Sequence, residues 1–579
     1  MDNSFRKYVL RTVSIIFATG SLLNSYGQYN ALWIPDTLSG TTFNLNIKDT
    51  FAQIVSQGNQ TITGAINGKF WGPTLIINKG DEVHMNVKNS LNDSTTIHWH
   101  GMHLPAVMDG GPHQVIPPGT VWQPYWKMTN NAATYWYHPH LHTMTVEHIT
   151  KGIGGLMIVR DNIESALPLT RRYGIDDIPI VLSDRDFDSD NQFVTVPYGD
   201  SMLVNGTLRP QFSVPAQVIR FRILNAAIER SYNLGFSDNR TFYVITSDGG
   251  LLDAPVAVTR YLLHAGERVE ILVDYTGQFG KTFDLKAYNF SLTNVIPGGE
   301  NFPNGPFSNA LGKKDFNILR LRISQINSSP ITSIPLSLTT NTKLKTSDAK
   351  VTRRLTVSDS AGFPGILGPT AFLINHRLFD FDYNDYQVPI GNTEIWEITS
   401  SSGFGHPFHI HDVQFNILSV NSAAPDPAQS GWKDVVFIPA RQSISSPSVV
   451  KFIAKFDDYA DKLHPFMFHC HIALHEDEGM MGQFVVTGTT STKDQQSEQN
   501  DFTLFPNPAN DKLYVHFEDP SMQAYYIKIF NAIGRTIYML PQPQLQNGID
   551  ISKLPSGIYS LQLTDEKDKQ TTTKKFIKE

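Results

Sequence analysis

A threefold internal repeat constrains this chain of 579 residues more than any single motif does. Residues 66–101 read INGKFWGPTLIINKGDEVHMNVKNSLNDSTTIHWHG, residues 204–236 read VNGTLRPQFSVPAQVIRFRILNAAIERSYNLGF, and residues 374–411 read INHRLFDFDYNDYQVPIGNTEIWEITSSSGFGHPFHIH. Each copy opens on a hydrophobe and an asparagine, passes a polar stretch and a Pro or Gly turn, then alternates apolar with polar positions. Val83, Met85 and Val87 keep a strict period of two, while Val218, Phe221 and Ile223, and the run around Ile395, keep it loosely. Short period-two runs bounded by turn residues predict antiparallel β-sandwiches. Three copies predict three similar domains. The composition agrees, because 11% aromatic and only 17% charged residues, with frequent Gly and Pro, suit an all-β chain rich in turns.

The two ends of the chain read differently from the repeat. Lys7 and Arg11 precede an apolar run from Val13 to Leu23, and Ser25-Tyr26-Gly27 supplies small residues at a cleavage site. That pattern predicts a signal peptide over 1–27, and the run is too short to span a bilayer. No other stretch predicts a membrane span, and a net charge of −7 without a basic patch argues against nucleic-acid binding. Past Thr487, residues 488–500 form a polar linker without hydrophobic periodicity. Residues 501–579 return to short alternating strands and turn signals, which predicts a small C-terminal β-sandwich.

The chemistry sits at the ends of the outer repeats. The first leads into His98-Trp99-His100 and then His138-Pro139-His140-Leu141-His142; the third leads into His406-Pro407-Phe408-His409-Ile410-His411. The second ends on Ser231-Tyr232-Asn233, so the middle domain is expected to be a spacer or a substrate wall. Residues 469–482, HCHIALHEDEGMMG, hold the only cysteine. A soft thiolate, imidazoles and a weak thioether are the donors of a blue-copper electron-transfer site. A structural zinc site would be a closed set of four ligands, mostly thiolates, and would leave most of these histidines unused. On an extended segment His469 and His471 point away from Cys470, so they can hold a second metal site one residue from the first. Two H-x-H pairs from each outer domain would bring eight imidazoles to one interface.

In this order HWHG, HPHLH, HPFHIH and HCHIALHEDEGMM resemble the four copper-binding signatures of the multicopper oxidases, over about residues 35–490 and in the manner of three-domain bacterial laccases and copper-efflux oxidases. The resemblance implies an all-β fold of three cupredoxin-like Greek-key β-sandwiches at 28–165, 170–325 and 350–487. It implies four copper ions: a type 1 copper on His406, Cys470, His475 and axial Met480, and a type 2 copper on His98 and His409. Two type 3 coppers follow, one on His100, His138 and His471, the other on His140, His411 and His469. Asp109 and Glu476 match the family's proton-relay acids. His103, His113, His142 and Met481 match no ligand position. The implied activity is one-electron oxidation of a small-molecule reductant at the type 1 copper, passed through Cys470 to reduce O2 to water.

Copper-efflux oxidases carry a methionine-rich insert, whereas residues 290–400 here contain no methionine, which favours phenols or other organic reductants over cuprous ion. The Gly/Pro/Asn-rich stretch 291–314 either borders the substrate site or serves as a connector. The tail, through FPNP at 505–508 and LPSGIY at 554–559, resembles the C-terminal sorting domains of type IX secretion. That resemblance implies the type IX machinery as partner and export through the periplasm to the cell surface or medium. A carbohydrate- or partner-binding β-module is the other reading of the tail.

Overall fold

The asparagine that opens each repeat does the same work three times. In the computed structural model, which describes residues 29–301, 307–365, 368–488, 502–517, 525–531, 536–541, 548–565 and 571–579, Asn67, Asn205 and Asn375 all take a left-handed backbone, with φ of 60°, 50° and 52°. Asparagine tolerates this conformation better than other side chains with a Cβ. Each then clamps one residue of a neighbouring strand. Its own N–H donates to the carbonyl of Asn46, Val181 or Thr356, and its Oδ1 accepts the N–H of that same residue at 2.8, 2.7 and 3.2 Å. The repeat marks one hairpin corner of the same sandwich in three copies.

The first sandwich places His98–His100 at the edge of a five-stranded sheet beside Ala133–His138, with Gly155–Arg160, Thr74–Asn78 and Thr37–Ser39 beyond. Its second sheet is built on Thr42–Ala52 and Glu82–Asn89, a parallel pair distant in sequence. Along Glu82–Asn89, Val83, Met85 and Val87 are buried and face one core, as their alternation requires. The third sandwich has two five-stranded sheets, and its core includes Trp396, Phe408, Phe452 and Cys470.

The looser period of the middle copy has a physical reason. Val218–Asn225 is buried along its whole length, polar positions included. Arg220 pairs with Glu270 and Glu164, and Arg222 with Asp177 and Glu270, at 2.5–2.7 Å. Thr134 of the first sandwich donates to Glu270 at 2.7 Å. The outer face of this strand therefore meets a buried polar interface rather than water. The chain also enters the middle sheet early, since Asn30–Ala31 pairs in parallel with Pro210–Gln211.

The described residues up to 488 form one compact unit and those from 502 another. In the second, sheets of three and four strands enclose Phe502, Leu513, Ile527, Ile529 and Leu561. Asn507 of the FPNP motif accepts from Ile577 N–H at 2.9 Å, and Tyr559 of LPSGIY donates to the Pro555 carbonyl at 2.8 Å, so both motifs are corners of this small sandwich. The signal peptide expected at 1–27, and nearly all of the linker expected at 488–500, lie outside the described residues. No helix among the described residues is long and apolar enough to cross a membrane.

Candidate metal centres

Strand alternation separates two groups of donors. His406–Ile410 runs antiparallel to Asp461–Cys470, with Phe408 opposite Cys470 and His409 opposite His469. Neighbouring residues on a strand face opposite ways, so the Cys470 face carries His406 and the His469 face carries His409. On the first face the Cys470 sulfur lies 3.6 Å from Nδ1 of both His406 and His475. His475 comes from the short helix Ala473–Asp477 that follows the cysteine. Met480 is buried beside it, and its carbonyl accepts the Cys470 N–H at 3.1 Å. Met481 is the residue opposite His469 on the neighbouring strand, which puts it on the other face.

The second face meets the first sandwich. His98 pairs across the strands with His138, and His100 with Trp136, whose ring stacks on His138 at 4.1 Å. Three groups of imidazole nitrogens come within 4.8 Å of one another: His98, His100 and His409; His100, His138 and His471; His140, His411 and His469. Within them His100 Nδ1 lies 3.3 Å from Nε2 of both His138 and His471, and His469 Nε2 lies 3.2 and 3.4 Å from those of His140 and His411. All eight rings are buried.

Both expected acids reach this face. Asp109 holds His411 Nδ1 at 2.6 Å and lies 3.4 Å from His98 Nδ1. Glu476 lies 3.2 Å from His140 Nδ1 and 3.3 Å from His469 Nδ1 and accepts from Thr145 Oγ1 at 2.8 Å. The histidines that matched no ligand position stand apart. His103 pairs with Asp412 at 2.8 Å, His113 meets Gln483 at 2.7 Å, and His142 packs edge-on against Phe379.

Comparison with known proteins now decides the family. Multicopper oxidase models match residues 48–164, 177–300 and 339–489, and a secretion system C-terminal sorting domain model matches 503–579. The chain is 30% identical over 441 residues to multicopper oxidase mco of Staphylococcus haemolyticus, covering 74% of this chain and 85% of that one. It is 32% identical over 442 residues to cell division protein FtsP of Xenorhabdus nematophila, at 74% and 86% coverage. Among solved structures it resembles a laccase-like multi-copper oxidase, CueO, of Ochrobactrum sp., with a TM-score of 0.69 at 32% identity over 79% of this chain and all of that one. The chain belongs to the multicopper oxidase family.

A multicopper oxidase binds copper, and the donor set here fits that metal. Imidazole nitrogens about 2.0–2.1 Å from one ion lie roughly 3.3–3.6 Å apart at trigonal to tetrahedral angles, and a sulfur at about 2.3 Å lies roughly 3.6 Å from such a nitrogen. The spacings above match. Nε2 of His98 and of His409 are buried without a hydrogen-bond partner among the described residues, as metal-facing nitrogens are. Burial first, and neighbouring rings second, hold His100, His138, His140, His409, His411 and His469 far below the usual imidazole range. Burial takes His406 and His471 down to about 3. These rings are neutral and offer lone pairs. Burial, and then Asp477, push Glu476 well above the ordinary carboxyl range.

Several groups of this multicopper oxidase were invisible in the sequence. Asp434 sits 3.1 Å from His100 Nε2, and its backbone carbonyl lies 2.8 Å from His409 Nδ1. Ser402 lies 3.0 Å from His406 Nε2 and donates to Asp359 at 2.5 Å. The usable signals were weak: a Lys-Asp pair before the apolar run 435–438, and a serine four residues before His406. The 291–314 stretch touches this region, because Val295 O accepts the Gly405 N–H at 2.9 Å.

Proposed function

We propose that the chain is a laccase-like oxidase that couples one-electron oxidation of phenols or other organic reductants to four-electron reduction of O2 to water. On this reading His406, Cys470, His475 and axial Met480 hold the type 1 copper, and His98 and His409 the type 2 copper. His100, His138 and His471, and His140, His411 and His469, hold the type 3 pair, within sandwiches spanning 28–165, 170–325 and 350–487. Bound copper supplies the one-electron steps that neither the thiol nor the imidazoles provide alone.

The observation that carries this reading is the register of one strand pair. With Phe408 opposite Cys470 and His409 opposite His469, Cys470 joins the two centres through single peptide links to His469 and His471. The chain's own groups do the rest. Burial of Cys470 favours its thiol, so the thiolate exists only against a bound soft cation. Asp109, accepting from His411, sets that ring's tautomer and is placed to hand protons to the cluster. Glu476, accepting from Thr145, is the second proton source on this reading.

The preference for organic reductants is supported by the segment in front of His406. Ser402 there contacts Asp359, and that acid lies near Arg441 at 3.9 Å, so the local charge is already partnered. An oxygen electrode with simple phenols, bilirubin and cuprous ion tests the substrate class, and cuprous ion as the only good reductant would overturn it. The second reading is a copper-binding protein without turnover. Copper-loaded protein with a blue band but no oxygen uptake would establish that role instead.

The sorting tail indicates secretion or surface attachment. A signal peptide at 1–27, passage through the periplasm and delivery by the type IX machinery complete the proposal. Ending the chain near residue 490 then leaves turnover intact and strands the protein in the periplasm.

A further inference from the structure

We infer that the turn His264–Arg268 of the middle sandwich forms a third wall of the histidine cluster, and that Arg268 is a positioning residue for the group His100, His138 and His471. The inference rests on the ligand reading proposed above. It replaces the expectation that the copper-free domain is a spacer or a substrate wall.

Arg268 is buried and grips Asp434 with both arms, Nη1 at 2.6 Å from Oδ1 and Nη2 at 2.5 Å from Oδ2. A two-pronged guanidinium–carboxylate contact fixes orientation as well as distance. Asp434 Oδ1 lies 3.1 Å from His100 Nε2, which makes that nitrogen the N–H donor and leaves the Nδ1 lone pair facing His138 and His471. A loosened Asp434 would let the His100 ring turn or change tautomer, and an N–H would then point where a ligand lone pair is needed.

The same guanidinium reaches the strand that carries the second histidine of the group. Arg268 Nε donates to the Thr134 carbonyl at 3.2 Å, on the strand Ala133–His138 that ends in a ligand. The third is met by Gly266, whose φ is +82° and where a Cβ would fall 2.6 Å from the His471 ring. Only a residue without a side chain lets the turn close so tightly. His264 seats the turn by stacking on Phe437 at 3.8 Å and 2°, on the strand Val435–Ile438 that begins one residue after Asp434. Two of the three imidazoles, His100 through Asp434 and His471 against Gly266, are thus backed by one five-residue turn, which also holds the strand that carries His138. The other group, His140, His411 and His469, is backed by Asp109 and Glu476 from the outer sandwiches.

Removing Arg268 alone would strand a buried carboxylate, which threatens the fold. The test variant is therefore the double substitution R268M/D434N, which removes both charges and keeps a carbonyl oxygen for His100, with Arg268→Lys as the conservative arm. Copper content after graded chelation, the near-ultraviolet band of the coupled copper pair and the blue band of the Cys470 centre are measured on the full chain. The expected result is an unchanged blue band, loss of the coupled-pair band and about 10–100-fold weaker retention of cluster copper, the range for lost partners of metal ligands. Arg268→Lys should recover part of both. Wild-type copper retention and coupling in the double variant would overturn the inference. So would loss of the blue band as well, since the turn would then support the whole fold rather than one copper pair. A wild-type protein without a coupled pair would sink the ligand reading itself, before any variant is made.

Discussion

The Cys470 centre and the histidine cluster lie one residue apart and are built in opposite ways. His406, Cys470, His475 and Met480 all belong to the third sandwich, and the groups behind them, Ser402 and Phe372, do too. The cluster draws histidines from positions 98 to 471, and it is steadied by Asp109 from the first sandwich and by Arg268 of the middle one through Asp434. The first centre needs one domain to fold. The second forms only where the first and third sandwiches meet, so damage to one centre should leave the other readable.

The sharpest break is Cys470→Ser. A hydroxyl oxygen is too hard a donor for the site, so the blue band and substrate oxidation should vanish while the eight histidines keep about three coppers per chain. Phenol oxidation at the wild-type rate in this variant would show that electrons reach the cluster by another route.

Asp109→Asn attacks the other side of the comparison. It keeps the shape and the contact with His411 but removes an exchangeable proton. Anaerobic bleaching of the blue band by substrate should be normal, and its return on adding oxygen should slow by about 10²–10⁴. Stopped-flow absorbance separates the two phases, and slow bleaching with normal return would place Asp109 on the substrate side.

A finer probe is Ser402→Ala, which removes the partner of His406 Nε2. A ligand imidazole with a hydrogen-bond acceptor behind it is the better donor and stabilises the oxidised metal. Its loss should raise the potential of the Cys470 centre by up to about 59 mV, a tenfold change in a one-electron equilibrium, with cluster copper unaffected. A redox titration that superimposes on the wild type would exclude this tuning.

The smallest effect on turnover is expected from a buried acid pair that supplies no donor to either centre. Tyr198 OH lies 2.7 Å from carboxyl oxygens of both Glu229 and Glu300. One hydroxyl can donate to only one of them, so the other contact needs a protonated carboxyl. Burial, with Glu300 second, pushes Glu229 up to about 8. The folded state then keeps a proton that the unfolded chain releases above its ordinary value of about 4.3. Stability from this residue is therefore full below that value and is lost as pH rises to about 8, by a few kcal/mol. Glu229→Gln should flatten the fall in Tm between pH 5 and 8, and parallel curves for variant and wild type would exclude the shared proton.

What could be read without coordinates follows the same division. The fold was legible because three copies of one turn carry the same asparagine, and because Val83, Met85 and Val87 alternate along a strand with one face on a core. The donors on the His406–Ile410 and Asp461–Cys470 strands were legible because a period of two assigns each residue to a face before anything is packed. The middle repeat kept that period only loosely. Arg220 and Arg222 look like solvent positions on a strand and instead fill a buried interface with the first sandwich.

The sequence by itself determined the three sandwiches, the order of the donor motifs and the one-residue bridge at Cys470, because each depends on spacing along a chain of fixed geometry. Apart from Asp109 and Glu476, tertiary structure alone decided what stands behind the donors. Asp434 and His100 are 334 residues apart, Arg268 and Asp434 166, and Thr145 and Glu476 331. Such pairs are single polar contacts without a periodic signature. They form when buried charge and imidazole N–H groups must find partners at a domain interface that local propensity does not describe.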